Sequence, residues 1–302
     1  MKIPLRGKVK RRRSLEEDPV GYLLIAPFWL FTFCFVIAPI IANIYLSFTD
    51  YNLVQMNFLG LKNYLFMGQD ETLKVSLINS LVFTIFTLPL TMGLGLGIAI
   101  LLKDKIFSLK FFRTSFYTPY VTSMVATSMI WLWMYEPSGG IFTRLIKMFG
   151  FPGQKWLYEP ATAMAAIIVV SIWKAVGYYM VVYIAGLQAI PQYLYEAAKI
   201  DGASAWERFV NITLPMLNPV TFFLFVTGFI NNFRVFEQVQ IMTNGGPINA
   251  TTTIVHQIYN RAFNEMALGY AAAESVLLLI IVFAITALNF KYGNQGNDLE
   301  AA

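Results

Sequence analysis

Long apolar blocks separated by short polar segments constrain this chain more than any motif in it. Of 302 residues, 57% are hydrophobic and 13% carry a charge, fewer than a soluble surface of this size needs. A helix rises about 1.5 Å per residue, so about 20 apolar residues cross a hydrocarbon layer of about 30 Å. Blocks at about 21–48, 75–102, 114–135, 161–187, 216–236 and 268–290 meet that length. The pattern predicts an all-α, polytopic membrane protein with six transmembrane helices. The first block is too long for a signal-peptide core, and no small-residue cleavage site follows it.

Loop charge gives an orientation. Residues 1–20 form a basic tail with Lys8, Lys10, Arg11, Arg12 and Arg13. Placing this tail and the tail 291–302 in the cytoplasm also puts 103–113 (Lys103, Lys105, Lys110, Arg113) and 188–215 inside. Inner segments then hold about twice as many Lys and Arg as outer ones, as the positive-inside rule expects. The net positive charge therefore reads as membrane topology, with no nucleic acid implied. Trp131, Trp133 and Tyr135 suit an outer aromatic belt, as do Trp156 and Tyr158 before the fourth block.

Several chemistries are excluded by what is missing. One cysteine, Cys34, offers no disulfide, and one histidine, His256, offers no His-rich metal cluster. His256 is expected at the surface of an amphipathic outer segment. Gly93-Leu-Gly95-Leu-Gly97 in the second block reads as close helix packing, because no Gly-Lys-Ser/Thr follows it. With no Walker-type motif, the chain cannot hydrolyse ATP alone. No catalytic, cofactor-binding or metal-binding residues are expected.

The inner segment 191–215 is the most informative stretch. Pro191 suits a helix start, and Gly202 suits a break with positive φ. Ser204 and Glu207 have capping-box spacing for a second helix. Trp206, Phe209, Val210, Thr213 and Leu214 give that helix one apolar face, and Pro215 is expected to end it. Such a rigid helix pair reads either as a docking knob for another protein or as an interfacial helix lying in headgroups.

The stretch resembles the signature loop of permease subunits of ABC importers. It keeps Glu196-Ala197-Ala198, then Gly202 after three intervening residues, and Ile212-Thr213-Leu214-Pro215 after nine more. The resemblance runs on through Pro119, Trp131, Gly139-Gly140-Ile141, Asn244-Gly245-Gly246-Pro247 and Gly269-Tyr270-Ala271-Ala272, and is to the maltose- and glycerol-phosphate-type carbohydrate permeases. It implies a permease domain over 21–290 in a bacterial inner membrane, importing a sugar or oligosaccharide. The implied partners are a second permease subunit, a dimer of ATPase subunits that bind ATP and magnesium, and an extracytoplasmic solute-binding protein. It also implies that Glu196, Ala197, Ala198, Asp201, Gly202, Ile212, Leu214 and Pro215 form the ATPase-coupling loop, with Glu196 facing a basic residue of the ATPase.

Sugar contacts are expected in the fourth and fifth blocks, where aromatic faces and amides coincide. The candidates are Trp173, Tyr178 and Tyr179 around Gly177, and Thr227, Asn231 and Asn232 among phenylalanines. Phe229 stands where the resemblance leads one to expect an amide. The alternative is that these side chains pack spans together or face the second permease. Lys174 and Glu274 are charges within spans. They either pair with each other or snorkel, or Lys174 lines the path and favours an acidic sugar. A gradient-driven secondary transporter is the main rival, but no internal repeat supports it. An intramembrane enzyme lacks a nucleophile–base pair.

Overall fold

A computed structural model describes residues 19–102 and 109–293. The basic cluster at 8–13, Lys103, Lys105 and the tail beyond 293 lie outside the described residues. Among the described residues the chain is helical, apart from one isolated bridge between Thr49 and Phe58. Five helical stretches are long and apolar enough to cross a membrane: Gly21–Leu46, Glu71–Leu101, Pro160–Ala189, Asn218–Met242 and Leu268–Asn289. They coincide with five of the six expected blocks. The remaining block, 114–135, is not one helix but two.

The first stretch comprises α1 (Pro19–Thr32) and α2 (Ala38–Leu46), joined by a π-helical turn at Phe33–Ile37. A short helix, α3 (Lys62–Met67), leads to α4 (Glu71–Leu101). Asp70 starts α4 by accepting from the Thr72 and Leu73 N–H groups at 2.9 and 3.1 Å. Inside α4, the hydroxyls of Ser80, Thr84 and Thr91 donate to the carbonyls four residues back, so polar side chains are satisfied within the apolar layer.

The broken block follows as α5 (Leu109–Val121) and α6 (Met124–Met134). Pro119 lacks an N–H, and the Thr122 hydroxyl and N–H both fold back on the Pro119 carbonyl, at 2.7 and 3.3 Å. Ser123 is then extended (φ −61°, ψ 134°), and α6 starts afresh. Next come α7 (Ile141–Met148) and α8 (Pro160–Ala189), the central helix of the bundle. Between α8 and the fifth stretch lie α9 (Gln192–Ile200), α10 (Ala205–Arg208) and α11 (Leu214–Met216). The chain closes with α12 (Asn218–Phe233), α13 (Glu237–Met242), α14 (Ile254–Tyr259) and α15 (Leu268–Gly293).

The main core joins α4, α8 and α12 through Leu88, Tyr179, Met180, Tyr183, Leu187 and Leu224. Lipid tails are as apolar as these side chains, so complementary packing rather than water exclusion holds them together. Of the three glycines in the Gly-Leu-Gly-Leu-Gly run, only Gly95 serves that packing: a Cβ there would fall 2.7 Å from Tyr179 Cβ. Positions 93 and 97 face open space, so the pair four residues apart is not the contact.

Candidate functional site

The loop 191–215 is an elbow with a buried root and an exposed tip. Pro191 lies just before α9 rather than inside it, with extended backbone (φ −61°, ψ 129°). The α9 C-terminus closes as a Schellman motif, the Ala203 N–H reaching Ala198 O at 2.9 Å and the Gly202 N–H reaching Lys199 O at 3.1 Å. That closure needs a left-handed residue, and Gly202 supplies it at φ +80°. The capping box is present: the Glu207 N–H donates to Ser204 Oγ at 3.2 Å and the Ser204 N–H to Glu207 Oε2 at 2.6 Å. These hydrogen bonds hold the Glu207 carboxyl below its ordinary pKa. Arg208 Nη1 also donates to Ala203 O at 2.5 Å, bracing the bend.

Pro215 does not end the second helix. Leu214 stays helical (φ −62°, ψ −48°), because residues 209–213 form a π turn in which the Leu214 N–H reaches Phe209 O. The extra residue in that turn lets the missing Pro215 N–H pass without breaking the rod. It also rotates the apolar face. Thr213 turns inward, where its Oγ1 lies 2.9 Å from Tyr195 Oη and ties the two helices together. Leu194, Tyr195 and Ile212 root the elbow on Leu187, Ile190 and Leu217 of the main core. Trp206 (70% exposed), Ile200 (86%) and Tyr193 (66%) point out, alongside exposed Glu196, Asp201 and Leu214. The unit is therefore rooted on the bundle and carries exposed apolar side chains at its tip. A cleft of about 830 Å³ runs beneath it between α8, α9 and the π turn.

The expected sugar-path residues lie in different settings. Tyr179 is buried in the core. Trp173 and Tyr178 join two separate aromatic groups: Trp173 meets Trp131 edge-on at 5.4 Å, and Tyr178 stacks on Tyr120 at 4.8 Å. Asn231 and Asn232 share a cleft of about 270 Å³ with Arg234, Phe236, Glu237 and Gln238. Thr227 bonds its own helix at Phe223 O, 2.7 Å away.

The two intramembrane charges do not meet. Lys174 Nζ donates to the carbonyls of Pro119 at 3.0 Å and Thr122 at 2.5 Å, with Tyr120 O at 3.4 Å. Glu274 is fully buried beside Gln257, and neither of its oxygens has a hydrogen-bond partner of ordinary geometry among the described residues. His256 is also buried, not at the surface. The segment that carries it, α14, packs onto α4 and α15 and places it between Asn244 Oδ1 at 3.4 Å and Asn260 Nδ2 at 3.3 Å. If the Asn260 amide donates to Nδ1, the remaining proton sits on Nε2 and faces Asn244. Burial pulls its pKa down to about 4, so the ring is neutral.

One network at the start of α4 has no obvious sequence signal. Asp70 Oδ2 accepts from Arg261 Nη2 at 2.7 Å and Tyr270 Oη at 2.9 Å. Arg261 also pairs with Glu265 and lies over the Tyr270 ring at 5.4 Å. Burial alone would raise the Asp70 pKa, but the Leu73 N–H, Tyr270 and Arg261 outweigh it and hold the carboxyl below its usual value. The Arg261–Asp70 separation in sequence, 191 residues, hides the pair.

Residues 20–292 match the model of one protein family, described as the binding-protein-dependent transport system inner membrane component. The chain is 35% identical over 274 residues to the sn-glycerol-3-phosphate transport system permease protein UgpA of Agrobacterium fabrum, covering 90% of this chain and 93% of that protein. It is 33% identical over 296 residues to the trehalose/maltose transport system permease protein MalF of Thermococcus litoralis, covering 97% and 99%. In fold, it matches a chain of a bacterial ABC transporter that imports the acidic polysaccharide alginate, with a TM-score of 0.83, 22% identity and coverage of 93% and 97%.

Proposed function

We propose, from the premise that this chain belongs to the family of binding-protein-dependent transport system inner membrane components, that it is the permease subunit of a sugar or oligosaccharide importer driven by a separate ATPase. Its full-length relatives are named as permeases for glycerol-phosphate and for trehalose and maltose, which supports a carbohydrate or related polyol as cargo. The single observation that carries the coupling role is the elbow at 191–215. It has an apolar, charged-rimmed tip held by a Schellman closure and a capping box on the central helix α8.

In this reading the elbow seats in a groove of an ATPase subunit, which binds the ATP and magnesium. Closure of two ATPases moves the elbow and, through α8, switches this permease and a second one between inward- and outward-facing states. Glu196, Ala197, Ala198, Asp201, Gly202, Ile212, Leu214 and Pro215 form or support that contact. The permease domain spans 21–290 between cytoplasmic tails, and α5 with α6 makes the sixth crossing. A solute-binding protein delivers cargo from outside. Trp173, Tyr178, Asn231 and Asn232 are the path residues whose surroundings best suit a sugar, with Thr227 beside them. Tyr179 supports the path from the core.

Uptake by the assembled importer tests the coupling role. Glu196→Lys should abolish transport and ATPase retention while leaving membrane insertion unchanged. Wild-type uptake by that variant would overturn the assignment.

A further inference from the structure

The third membrane block breaks within its own length, between α5 and α6. A helix end leaves its last carbonyls without intrahelical donors, and hydrocarbon offers none. At and just past the end of α5, one ammonium group serves the carbonyls of Tyr120 and Thr122 and also reaches that of Pro119, which already accepts from Thr122. Lys174 Nζ lies from the Pro119, Tyr120 and Thr122 oxygens at 3.0, 3.4 and 2.5 Å, with Thr122 Oγ1 at 3.5 Å. A cation at a helix C-terminus is also favoured by the helix dipole. Lys174 makes no ion pair among the described residues, so the carbonyl cluster is its anchorage.

One turn further along α8, the two helices touch backbone to backbone. A Cβ on Gly177 would fall 1.9 Å from Phe116 O. Thus α5 is held to α8 twice, by close approach at Gly177 and by the Lys174 ammonium. The other half of the broken block, α6, packs on α13 and α7 and also meets the earlier part of α8, where Tyr135 Oη donates to Ala166 O at 3.2 Å and Trp131 meets Trp173. The helix that α5 is fixed to runs without interruption to Ala189 and enters the elbow through Ile190 and Pro191.

We infer that Lys174 is a positioning residue that pins α5 to α8 at the Thr122–Ser123 break, so that the inner half of the broken span follows the elbow. This inference rests on the elbow being where the ATPase acts. The pin matters for transport because Tyr120, next to the break, stacks on Tyr178 of the candidate path. Moving α5 with α8 keeps that stack intact, and letting α5 slip disperses it.

The test uses the complete importer with its partners in lipid vesicles. Lys174→Met keeps the apolar stem and removes the donor. It should lower uptake tenfold or more while the complex still assembles and hydrolyses ATP. Lys174→Arg, which restores a cationic donor, should recover most of the loss. A Thr122→Cys, Lys174→Cys double variant in a Cys34→Ser background should be as impaired as Lys174→Met. Joining its two thiols with a short bifunctional reagent, verified by mass, should restore uptake because a covalent tether replaces the pin. Wild-type transport by Lys174→Met, joint loss of assembly or hydrolysis with uptake, or a completed tether without rescue would each overturn the inference. A wild-type chain that never retains an ATPase would instead sink the coupling role itself.

Discussion

Replacing Gly202 isolates the backbone geometry of the elbow from its contacts. The residue sits at φ +80°, and a Cβ built there meets no atom within 4 Å. The penalty for Gly202→Ala is therefore torsional, about 1–2 kcal/mol for an L residue in the left-handed region. At about 1.4 kcal/mol per tenfold, the Schellman-closed elbow becomes roughly 5- to 30-fold less favoured over open forms. Asn tolerates this region better and should cost less. Gly202→Pro fixes φ near −65° and removes the N–H that bonds Lys199 O at 3.1 Å, so closure should fail altogether. Initial uptake rates, normalised to the amount of chain in the membrane, should fall in the order Gly, Asn, Ala, Pro. Insertion should be constant across the series, because the elbow lies outside the apolar helices. Equal transport by the glycine and proline forms would refute the link between this turn and coupling. So would an alanine form worse than proline.

Two further outcomes concern the groups around Asp70 and His256. Arg261→Met removes a guanidinium that is only one-fifth exposed from an Asp70 side chain that is 5% exposed. Asp70 keeps the Tyr270 hydroxyl and two backbone donors, so the loss should be about 2 kcal/mol, seen as a lower Tm of the solubilised complex. Combined with Asp70→Asn the losses should be less than additive, and strict additivity would show that the two groups do not interact. For His256, a folded-state pKa of about 4 lies below the ordinary 6.5, so the open form binds the proton more readily. Closure of the segment that carries it is at full strength above pH 6.5 and weakens as pH falls towards 4, by up to about 3 kcal/mol. Hydrogen exchange across 243–260 should rise over that window, and His256→Gln should flatten the rise.

The parts of this fold that were legible in the sequence are those set by a residue's own neighbours. Five apolar stretches fell within a few residues of their expected places because length alone decides whether a helix crosses the layer. Gly202 and the Ser204–Glu207 pair were readable because a turn and a cap need only local chemistry. The π turn at 209–213 was not, since nothing local says that a proline will be absorbed by an extra residue instead of ending the helix. Lys174 gave away its presence in the membrane but not its partners. Those are carbonyls at a helix break 52 residues upstream, and carbonyls have no sequence identity. His256 misled for a related reason. A short amphipathic segment looks the same whether its polar side meets water or a buried layer of Asn and Thr.

The first apolar helix has a consequence for how the protein is made. Its most apolar window has no buried residue, and Phe28, Trp29, Leu30 and Phe31 are exposed around its circumference. Only its later part, α2, rests on α15, with Asn43 reaching Ala272 O at 3.4 Å. A segment that owes so little to its neighbours can leave the translocon and partition into lipid while the rest is still on the ribosome. It can therefore fix the orientation of every later segment before any of the bundle exists.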